Sequence, residues 1–386
     1  MKMRNKETNI IEKGGNFYWY FWHSGNKDRK QALDNILFFF LKCLVPIYYA
    51  MFFLHRCIKR KNAPQKAPVI SVGNLTLGGT GKTPCVEFLI KKFLEKKRRV
   101  GLLTKGYARE NKDSKKIVFS QTKEDIAVKD IGDEPYLLSK HFPSIPIFIS
   151  RHRAKSFLDA EKKRECDVFI MDDGFQYPHI DKDLEILLIN KTNPFGNGFV
   201  FPAGFLREPI NSIKRADLII LTHADECVIS SDECENSKNV YSVLSQKAPR
   251  IPILESIHEP LYFQDYISDK KYQAEELLNK RFLSLASLAD PLSFEESLKK
   301  LRLNPVKKVR FPDHYPYKSE NIEWVSSLAT KENIDFIITT EKDCVRFPKG
   351  PKFSIPVLYL IINFKIIKSE EVIDDMINKV LEKYKI

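Results

Sequence analysis

A glycine-rich segment that ends in a lysine and a threonine carries the strongest chemical signal in the chain. It reads Gly78-Gly79-Thr80-Gly81-Lys82-Thr83 and lies between an apolar run, Val69–Val72, and an amphipathic stretch that begins at Pro84. Glycines let backbone N–H groups curl around phosphate oxygens, and a helix N-terminus adds partial positive charge. Lys82 can then reach the β- and γ-phosphates, while the Thr83 hydroxyl can hold Mg²⁺. The segment predicts a phosphate-binding P-loop.

The match to the P-loop pattern is incomplete, because Thr76 stands where its first glycine is expected. A flexible glycine-rich connector is the alternative interpretation, but the strand–loop–helix context favours phosphate binding. The predicted nucleotide-binding residues form one run: Thr76, Leu77, Gly78, Gly79, Thr80, Gly81, Lys82 and Thr83.

Adjacent carboxylates follow another apolar run, Val168–Met171. Asp172 and Asp173 come directly after it, with Gly174 and Gln176 close behind. A buried strand that ends in carboxylates can hold or orient Mg²⁺ beside a P-loop. Many strands also end in Asp simply because a turn follows. The second acid and the nearby glutamine favour the metal interpretation.

Two weaker signals lie elsewhere in the chain. Gly132-Asp133-Glu134-Pro135 places two acids at the start of a helix, where they can equally be capping charges. Phe311-Pro312-Asp313-His314 places a histidine in a polar turn, and a lone histidine is usually structural or exposed. Beside a carboxylate, His314 can instead assist that group as a base toward a sugar hydroxyl.

The elements that must position these residues alternate between short apolar runs and amphipathic stretches. Such alternation, with β-branched strands, is typical of a parallel sheet covered by helices on both faces. The predicted strands are Val69–Val72, Val100–Thr104, Ile145–Ile149, Val168–Met171, Leu184–Ile189, Asp217–Thr222, Phe282–Leu285, Phe336–Thr340 and Val357–Ile362. Predicted helices include Pro84–Lys97 and Glu370–Tyr384.

The predicted fold class is α/β: a P-loop NTPase-like parallel sheet flanked by helices, a second, smaller α/β lobe, and an N-terminal membrane-anchoring helix. The pattern loses regularity over residues 225–280, which places the boundary between the lobes near residue 225. The predicted domains are an extension at residues 1–31, an anchor helix at 32–61, a P-loop core at 66–224 and a smaller lobe at 225–386.

An apolar stretch from Ile36 to Leu54 carries Lys42 as its one charge and approaches the ~20 residues that cross a bilayer. It starts too late for a cleavable signal, and basic residues follow it, which predicts a cytoplasmic location for the rest of the chain. A buried core helix is the alternative interpretation. Pro46 and Lys42 also weaken a full crossing of the bilayer, so a shallow interfacial anchor stays open.

Composition limits the remaining classes. The 63 Lys and Arg residues exceed the 50 Asp and Glu residues by 13, which favours acidic partners such as anionic lipid, phosphorylated substrates or nucleic acid. We expect no nucleic-acid partner, because no recognised binding module is found. The seven cysteines contain no CxxC pair, which argues against zinc and disulfide frameworks and for a reducing compartment.

Taken together, the motifs resemble those of the tetraacyldisaccharide 4′-kinase family of lipid A biosynthesis. The resemblance extends from the anchor to beyond residue 343 and keeps the family's order. The matching segments are Ser71–Pro84, Gly132–Pro135, Asp172–Gln176, Pro194–Gly198, Pro202–Pro209, Phe311–His314 and Thr339–Asp343.

This resemblance implies ATP- and Mg²⁺-dependent phosphorylation of the 4′-hydroxyl of a tetraacylated glucosamine disaccharide 1-phosphate. It implies a lipid-linked saccharide substrate and an inner-membrane location, with the active site on the cytoplasmic side. The roles it implies are catalytic for Asp133, His314, Asp173 and Lys82, metal-binding for Thr83, Glu134, Asp172 and Gln176, and substrate-binding for Asn74, Tyr107, Arg207 and Glu208. Asp133 would be the base, with help from His314.

The chain departs from the family pattern at two sites. Thr104–Ala108 carries Lys105 where an arginine is common, and Ser287–Pro291 replaces a glycine-rich strand end. Lysine keeps the charge but lacks the bidentate guanidinium. An alternative function is that of a deviant P-loop NTPase acting as a switch or metal-insertion chaperone. Against it, Leu77 stands where that class usually has a signature lysine.

Overall fold

The computed structural model describes residues 30–57, 65–107, 109, 116–118, 127–225, 240–348, 350 and 353–386, so nearly all of the predicted extension at 1–31 lies outside the described residues. The chain forms two compact units. The first, here the P-loop unit, contains the described residues up to 257 together with 364–386. The second unit contains the described residues from 258 to 363.

The P-loop unit is built on a sheet with the strand order β8-β7-β6-β1-β5-β2-β4-β3. Neighbouring strands pair in parallel, except for the antiparallel β3–β4 edge. The strands are β1 (Val69–Asn74), β2 (Val100–Thr104), β3 (Lys116–Val118), β4 (Ile147–Ile149), β5 (Val168–Asp172), β6 (Leu184–Asn190), β7 (Leu218–Thr222) and β8 (Ile253–Asp265). β1, β2, β5, β6 and β7 are buried along their whole length, as strands covered on both faces must be.

The helices of the chain lie mostly where apolar residues recur at helical spacing. For example, α2 buries Val86, Leu89, Ile90 and Phe93 against the sheet. The helices are α1 (Lys30–Cys57), α2 (Lys82–Glu95), α3 (Val128–Ile131), α4 (Asp133–His141), α5 (Arg153–Lys163), α6 (240–247), α7 (Pro291–Lys300), α8 (Ser319–Lys331), α9 (Glu341–Cys344) and α10 (Glu371–Tyr384), with 3₁₀ turns at Ile210–Arg215 and Ala274–Leu277.

The C-terminal helix α10 belongs to the P-loop unit. Its residues Ile373, Ile377 and Leu381 share one hydrophobic core with β1 and α2, and Lys92 forms an ion pair with Asp374 at 2.9 Å. The last helix therefore completes the first core. The predicted domain limits stay a prediction.

The second unit is a smaller α/β body with the strand order β11-β10-β12-β13-β8, and β9 pairs with β8. Its further strands are β9 (Lys271–Tyr272), β10 (Phe282–Ala286), β11 (Lys307–Arg310), β12 (Phe336–Thr340) and β13 (Val357–Ile366). The predicted fold class is confirmed: a mostly parallel sheet with flanking helices, a smaller α/β body and an apolar N-terminal helix. β8 is a strand that the sequence pattern of residues 225–280 did not indicate.

Helix α1 shows two kinds of surface. Partly buried positions recur along one stripe, at residues 37, 38, 41, 45, 48 and 52, whereas the positions between them are exposed. Exposed members include Phe39, Phe40, Leu44 and Phe53. The segment Leu37–Leu54 is long and apolar enough to cross a membrane. One stripe of this helix therefore packs on the protein while apolar side chains face outward, which does not fit a buried core helix.

Candidate active site

The two predicted phosphate and metal segments lie side by side. β1 and β5 pair in parallel with Val72 opposite Asp172, so their carboxyl ends lie at the same edge of the sheet. The P-loop follows β1, and Asp172 is the last residue of β5. Ligands of open α/β sheets bind at the carboxyl ends of the strands. The topology thus brings together two segments that lie about a hundred residues apart in the chain.

The P-loop leads directly into α2. Gly81 caps this helix with φ +74°, and Gly78 has φ +114°, two backbone conformations that L side chains rarely adopt. The segment before the glycines is held by a partner loop, because the Leu77 N–H donates to the Phe205 carbonyl at 2.7 Å. The Arg207 N–H donates to the Leu75 carbonyl at the same distance. The loop around residues 205–207 therefore supports the P-loop from one side.

Lys82 contacts Asn74 and Asp173, and Asp173 is also bound by Arg207. Lys82 Nζ is 3.3 Å from Asn74 Oδ1 and 3.8 Å from Asp173 Oδ1. Arg207 donates to both carboxylate oxygens of Asp173, at 2.8 and 3.0 Å. Burial would raise the pKa of Asp173, but the positive charges of Lys82, Arg207 and Arg153 outweigh it and lower the pKa. Asp173 is thus kept ionised between two cations.

The turn after β5 is held by a buried arginine. Asp173 adopts φ +50°, in the left-handed region. Arg153, only 6% exposed, donates through Nη1 to the Asp172 carbonyl at 2.6 Å and to the Asp173 carbonyl at 3.0 Å. Its guanidinium also lies 4.4 Å from the centre of the Tyr177 ring. Arg153 therefore fixes the backbone that presents both carboxylates.

Asp172 is buried and lies near other negative charges. The Thr104 hydroxyl donates to its Oδ2 at 3.2 Å. Burial, followed by the negative charges of Glu134 and Asp173, raises the pKa of Asp172 to about 7, although Lys82 and Arg153 act in the opposite direction. A cation at this position would offset the crowding of carboxylates.

The oxygen atoms near the P-loop fit a hard cation such as Mg²⁺. Asp172 Oδ1, Gln176 Oε1 and Thr80 Oγ1 are buried and have no hydrogen-bond partner among the described residues. Gln176 is oriented by its own Nε2, which donates to the Asn74 carbonyl at 2.9 Å. Within the part of the chain that the structure describes, no group of three or more His, Cys, Asp or Glu residues is arranged to hold a metal ion. Mg²⁺ typically takes one or two carboxylates and completes its shell with phosphate and water.

Asp133 and Glu134 open α4, and Asp133 is only 3% exposed. The Gly132 before them has φ +95°, and a Cβ there would lie 2.5 Å from the Tyr107 carbonyl oxygen. This close approach places the backbone of Tyr107 against the start of α4, while the Tyr107 side chain is 62% exposed. Glu134 acts electrostatically on Asp172, so the acids of α4 and β5 share one region.

Two further predicted site residues are Glu208 and His314. Glu208 is fully buried and accepts two hydrogen bonds from Arg215, at 2.7 and 3.0 Å. His314 lies in the second unit with φ +56°, and its N–H donates to the Asp313 carboxylate at 3.0 Å. The substrate role of Glu208 and the catalytic role of His314 stay predictions.

The matching segment Thr339–Asp343 supports the turn that contains His314. Asp343 is fully buried and accepts from the Ser287 N–H at 3.1 Å and from Arg346 Nη2 at 2.8 Å. The Ser287 hydroxyl in turn donates to the Pro312 carbonyl at 2.5 Å and accepts from the Tyr315 N–H at 3.0 Å. A single hydroxyl thus holds the backbone on both sides of residues 313 and 314.

Comparison with known proteins identifies the family of this chain. The family model described as LpxK, tetraacyldisaccharide-1-P 4′-kinase, matches residues 37–382. The chain belongs to this family. Proteins named tetraacyldisaccharide 4′-kinase from Halothermothrix orenii and Pelobacter propionicus are 31% and 33% identical to it. These matches cover 83% of this chain and 85% of the first protein, and 85% of this chain and 88% of the second.

A solved structure of the same family matches across both units. LpxK from Aquifex aeolicus in complex with ATP superposes with a TM-score of 0.67 at 28% sequence identity, covering 89% of this chain and 99% of that one. Family membership confirms the resemblance inferred from the motifs.

Two residues that contact the tetraacyldisaccharide 4′-kinase motifs were missed by the sequence argument. Arg153 holds the turn after β5, and the Thr104 hydroxyl binds Asp172. Arg151 lies just before α5 and Arg153 is its first residue, and no local pattern distinguishes them. Thr104 lies at the end of β2, next to β5 in the sheet. Its position at the carboxyl end of a strand was the sequence signal that could have identified it as a site residue.

Proposed function

We propose that this chain is an ATP-dependent kinase that phosphorylates the 4′-hydroxyl of a tetraacylated glucosamine disaccharide 1-phosphate. Its family membership and its similarity to a structure in complex with ATP support this function. The observation that carries it is the 3.8 Å distance between Lys82 Nζ and Asp173 Oδ1, at the edge where β1 and β5 end. A phosphate-binding lysine and paired carboxylates are the parts that phosphoryl transfer needs.

In this proposal, the residues from Thr76 to Thr83 bind the ATP phosphates through backbone N–H groups, helped by the N-terminus of α2. Lys82 leaves Asn74 and Asp173 for the β- and γ-phosphates. Thr83, Asp172, Gln176 and Glu134 are the candidates to hold Mg²⁺, which when bound neutralises developing phosphate charge.

Asp133 is the proposed base for the acceptor hydroxyl. Its burial at the start of α4 keeps water away, and its carboxylate oxygen Oδ1 accepts from the Glu134 N–H at 3.0 Å. This contact limits the orientations of the carboxylate. His314 is proposed to assist Asp133, and Asn74, Tyr107, Arg207 and Glu208 are the proposed substrate contacts.

We also propose that α1 holds the kinase in the inner membrane with its active site on the cytoplasmic side. The outward-facing apolar residues of α1 support lipid contact. An acceptor with four acyl chains stays in the bilayer, so a kinase attached there meets only its headgroup. Family membership favours this function over a P-loop switch or a metal-insertion chaperone, neither of which needs a lipid acceptor.

A radiolabelled-ATP assay with detergent-dispersed disaccharide 1-phosphate tests the proposal. Wild type should transfer label to the lipid, and Asp133→Ala should lose most transfer while retaining its fold. Asp375→Ala, on the exposed face of α10, is the matched carboxylate control and should behave as wild type. Near-normal turnover by Asp133→Ala would refute the assignment of the base. ATP hydrolysis that is indifferent to the lipid would favour the switch function instead.

A further inference from the structure

The anchor helix α1 contacts the same loop that supports the P-loop. Its Tyr48 hydroxyl donates to the Arg207 carbonyl at 2.8 Å, and the Tyr48 ring lies 5.6 Å from that of Phe201 in an edge arrangement. Ten residues earlier, Phe38 makes a similar contact with Phe199 at 5.5 Å. The one charge of the apolar stretch lies here too, because Lys42 Nζ is 4.6 Å from the centre of the Phe199 ring. One stripe of α1 therefore packs against residues 199–207.

From Arg207, short contacts continue to the phosphate site. Its N–H donates to the Leu75 carbonyl at 2.7 Å, which fixes the strand end before the P-loop. Its guanidinium holds both oxygens of Asp173, and Asp173 in turn lies 3.8 Å from Lys82. The carbonyl, N–H and guanidinium of Arg207 thus bind the anchor helix, the P-loop segment and Asp173, respectively.

We propose that Tyr48 is a positioning residue that couples the seating of the anchor helix to the phosphate site through Arg207. The anchor helix then does more than retain the kinase at the bilayer, because its position against residues 199–207 determines how Arg207 is held against Asp173. The inference rests on the proposed kinase function for its activity readout. It deepens that function by connecting the lipid-facing helix to the catalytic groups.

The physical basis is the partly buried hydrogen bond between Tyr48 and the Arg207 carbonyl. Removing the Tyr48 hydroxyl while keeping the ring leaves the Phe201 contact in place, and the Arg207 carbonyl loses the hydrogen bond that it accepts from Tyr48. A partly buried carbonyl that loses a donor destabilises the local backbone. This destabilisation of the backbone should extend to two neighbouring hydrogen bonds, from the Leu77 N–H to the Phe205 carbonyl and from the Arg207 N–H to the Leu75 carbonyl. These two bonds hold the P-loop segment.

The test compares Tyr48→Phe with Tyr49→Phe, which removes the same atom from the adjacent exposed tyrosine. In the lipid kinase assay, Tyr48→Phe should lower kcat roughly three- to tenfold and leave KM for the disaccharide and membrane partitioning unchanged. Tyr49→Phe should match wild type. A fall in partitioning or a rise in KM alone would mean that Tyr48 serves only to anchor, and would overturn the proposal.

A double-mutant cycle distinguishes coupling from general destabilisation. If Tyr48 acts by positioning the Arg207 guanidinium against Asp173, Tyr48→Phe should lower kcat by a smaller factor in an Arg207→Lys background, which keeps the carbonyl and N–H of residue 207 but loses the guanidinium contacts. Additive effects of the two substitutions would refute the coupling.

A second readout does not depend on catalysis. In Tyr48→Phe, hydrogen exchange measured by mass spectrometry should accelerate at the amides of Leu77 and Arg207, and the amides of β1 should be unaffected. Unchanged exchange at both amides would overturn the proposal even if the wild type proved not to be a lipid kinase. Lack of lipid-dependent transfer by wild type, together with accelerated exchange in the variant, would instead refute only the proposed function.

Discussion

Arg153 offers the sharpest test of how the site is built, because one buried side chain supports the backbone of both β5 carboxylates. Replacing it by methionine keeps a similar volume but removes both donors. The carbonyls of Asp172 and Asp173 now accept from Nη1 at 2.6 and 3.0 Å, and each would lose that donor. The Asp172 contact is buried and the Asp173 contact is partly buried, and an unsatisfied buried acceptor costs about 1–3 kcal/mol, so the two together predict a loss of roughly 2–4 kcal/mol. The contact with the Tyr177 ring disappears as well.

Urea unfolding of the detergent-solubilised protein, followed by circular dichroism, measures this loss as a change in the free energy of unfolding. Arg153→Lys keeps one donor and the charge, and should fall between wild type and Arg153→Met. Lys155→Met removes an exposed basic residue two positions later and should change stability by less than about 0.5 kcal/mol. If Arg153→Met and Lys155→Met were equally mild, the argument that Arg153 holds this turn would be wrong.

Three further predictions concern other parts of the site. A Cβ at Gly73 would lie 2.5 Å from Phe175 Cβ and 2.7 Å from its backbone nitrogen, so Gly73→Ala should cost about 1–3 kcal/mol in urea unfolding and weaken ATP binding; wild-type values for both would contradict this. Asp343→Asn removes the charge that faces buried Arg346 and should cost about 3–5 kcal/mol, whereas Asp375→Asn should be neutral; equal effects would refute the role of this ion pair. Asp172→Asn should raise the Mg²⁺ concentration needed for half-maximal turnover, and an unchanged Mg²⁺ titration would exclude Asp172 as a ligand.

Much of the fold followed from local patterns. The strand runs are short, apolar and β-branched, and the helices between them repeat at 3.6 residues, so both could be identified from spacing alone. One strand, β8, was missed by these patterns. β8 is long and only partly buried, and its alternation is interrupted by Pro260, so no continuous apolar run marks it. α10 packs on the first core, a contact between residues nearly three hundred positions apart that no local pattern could predict.

The sequence by itself determined the chemistry of this protein: a glycine cradle with Lys82, paired acids after an apolar strand, and an apolar helix before the first strand. These signals are local, because phosphate binding, metal binding and lipid contact each need certain residue types at short spacing. Only the tertiary structure decided which distant groups support them, such as Arg207 against Asp173, Arg153 beneath the turn, and Tyr48 against Arg207. Such pairs arise when the fold brings strand ends, loops and helices from distant parts of the chain together, and nothing in the intervening sequence indicates that proximity.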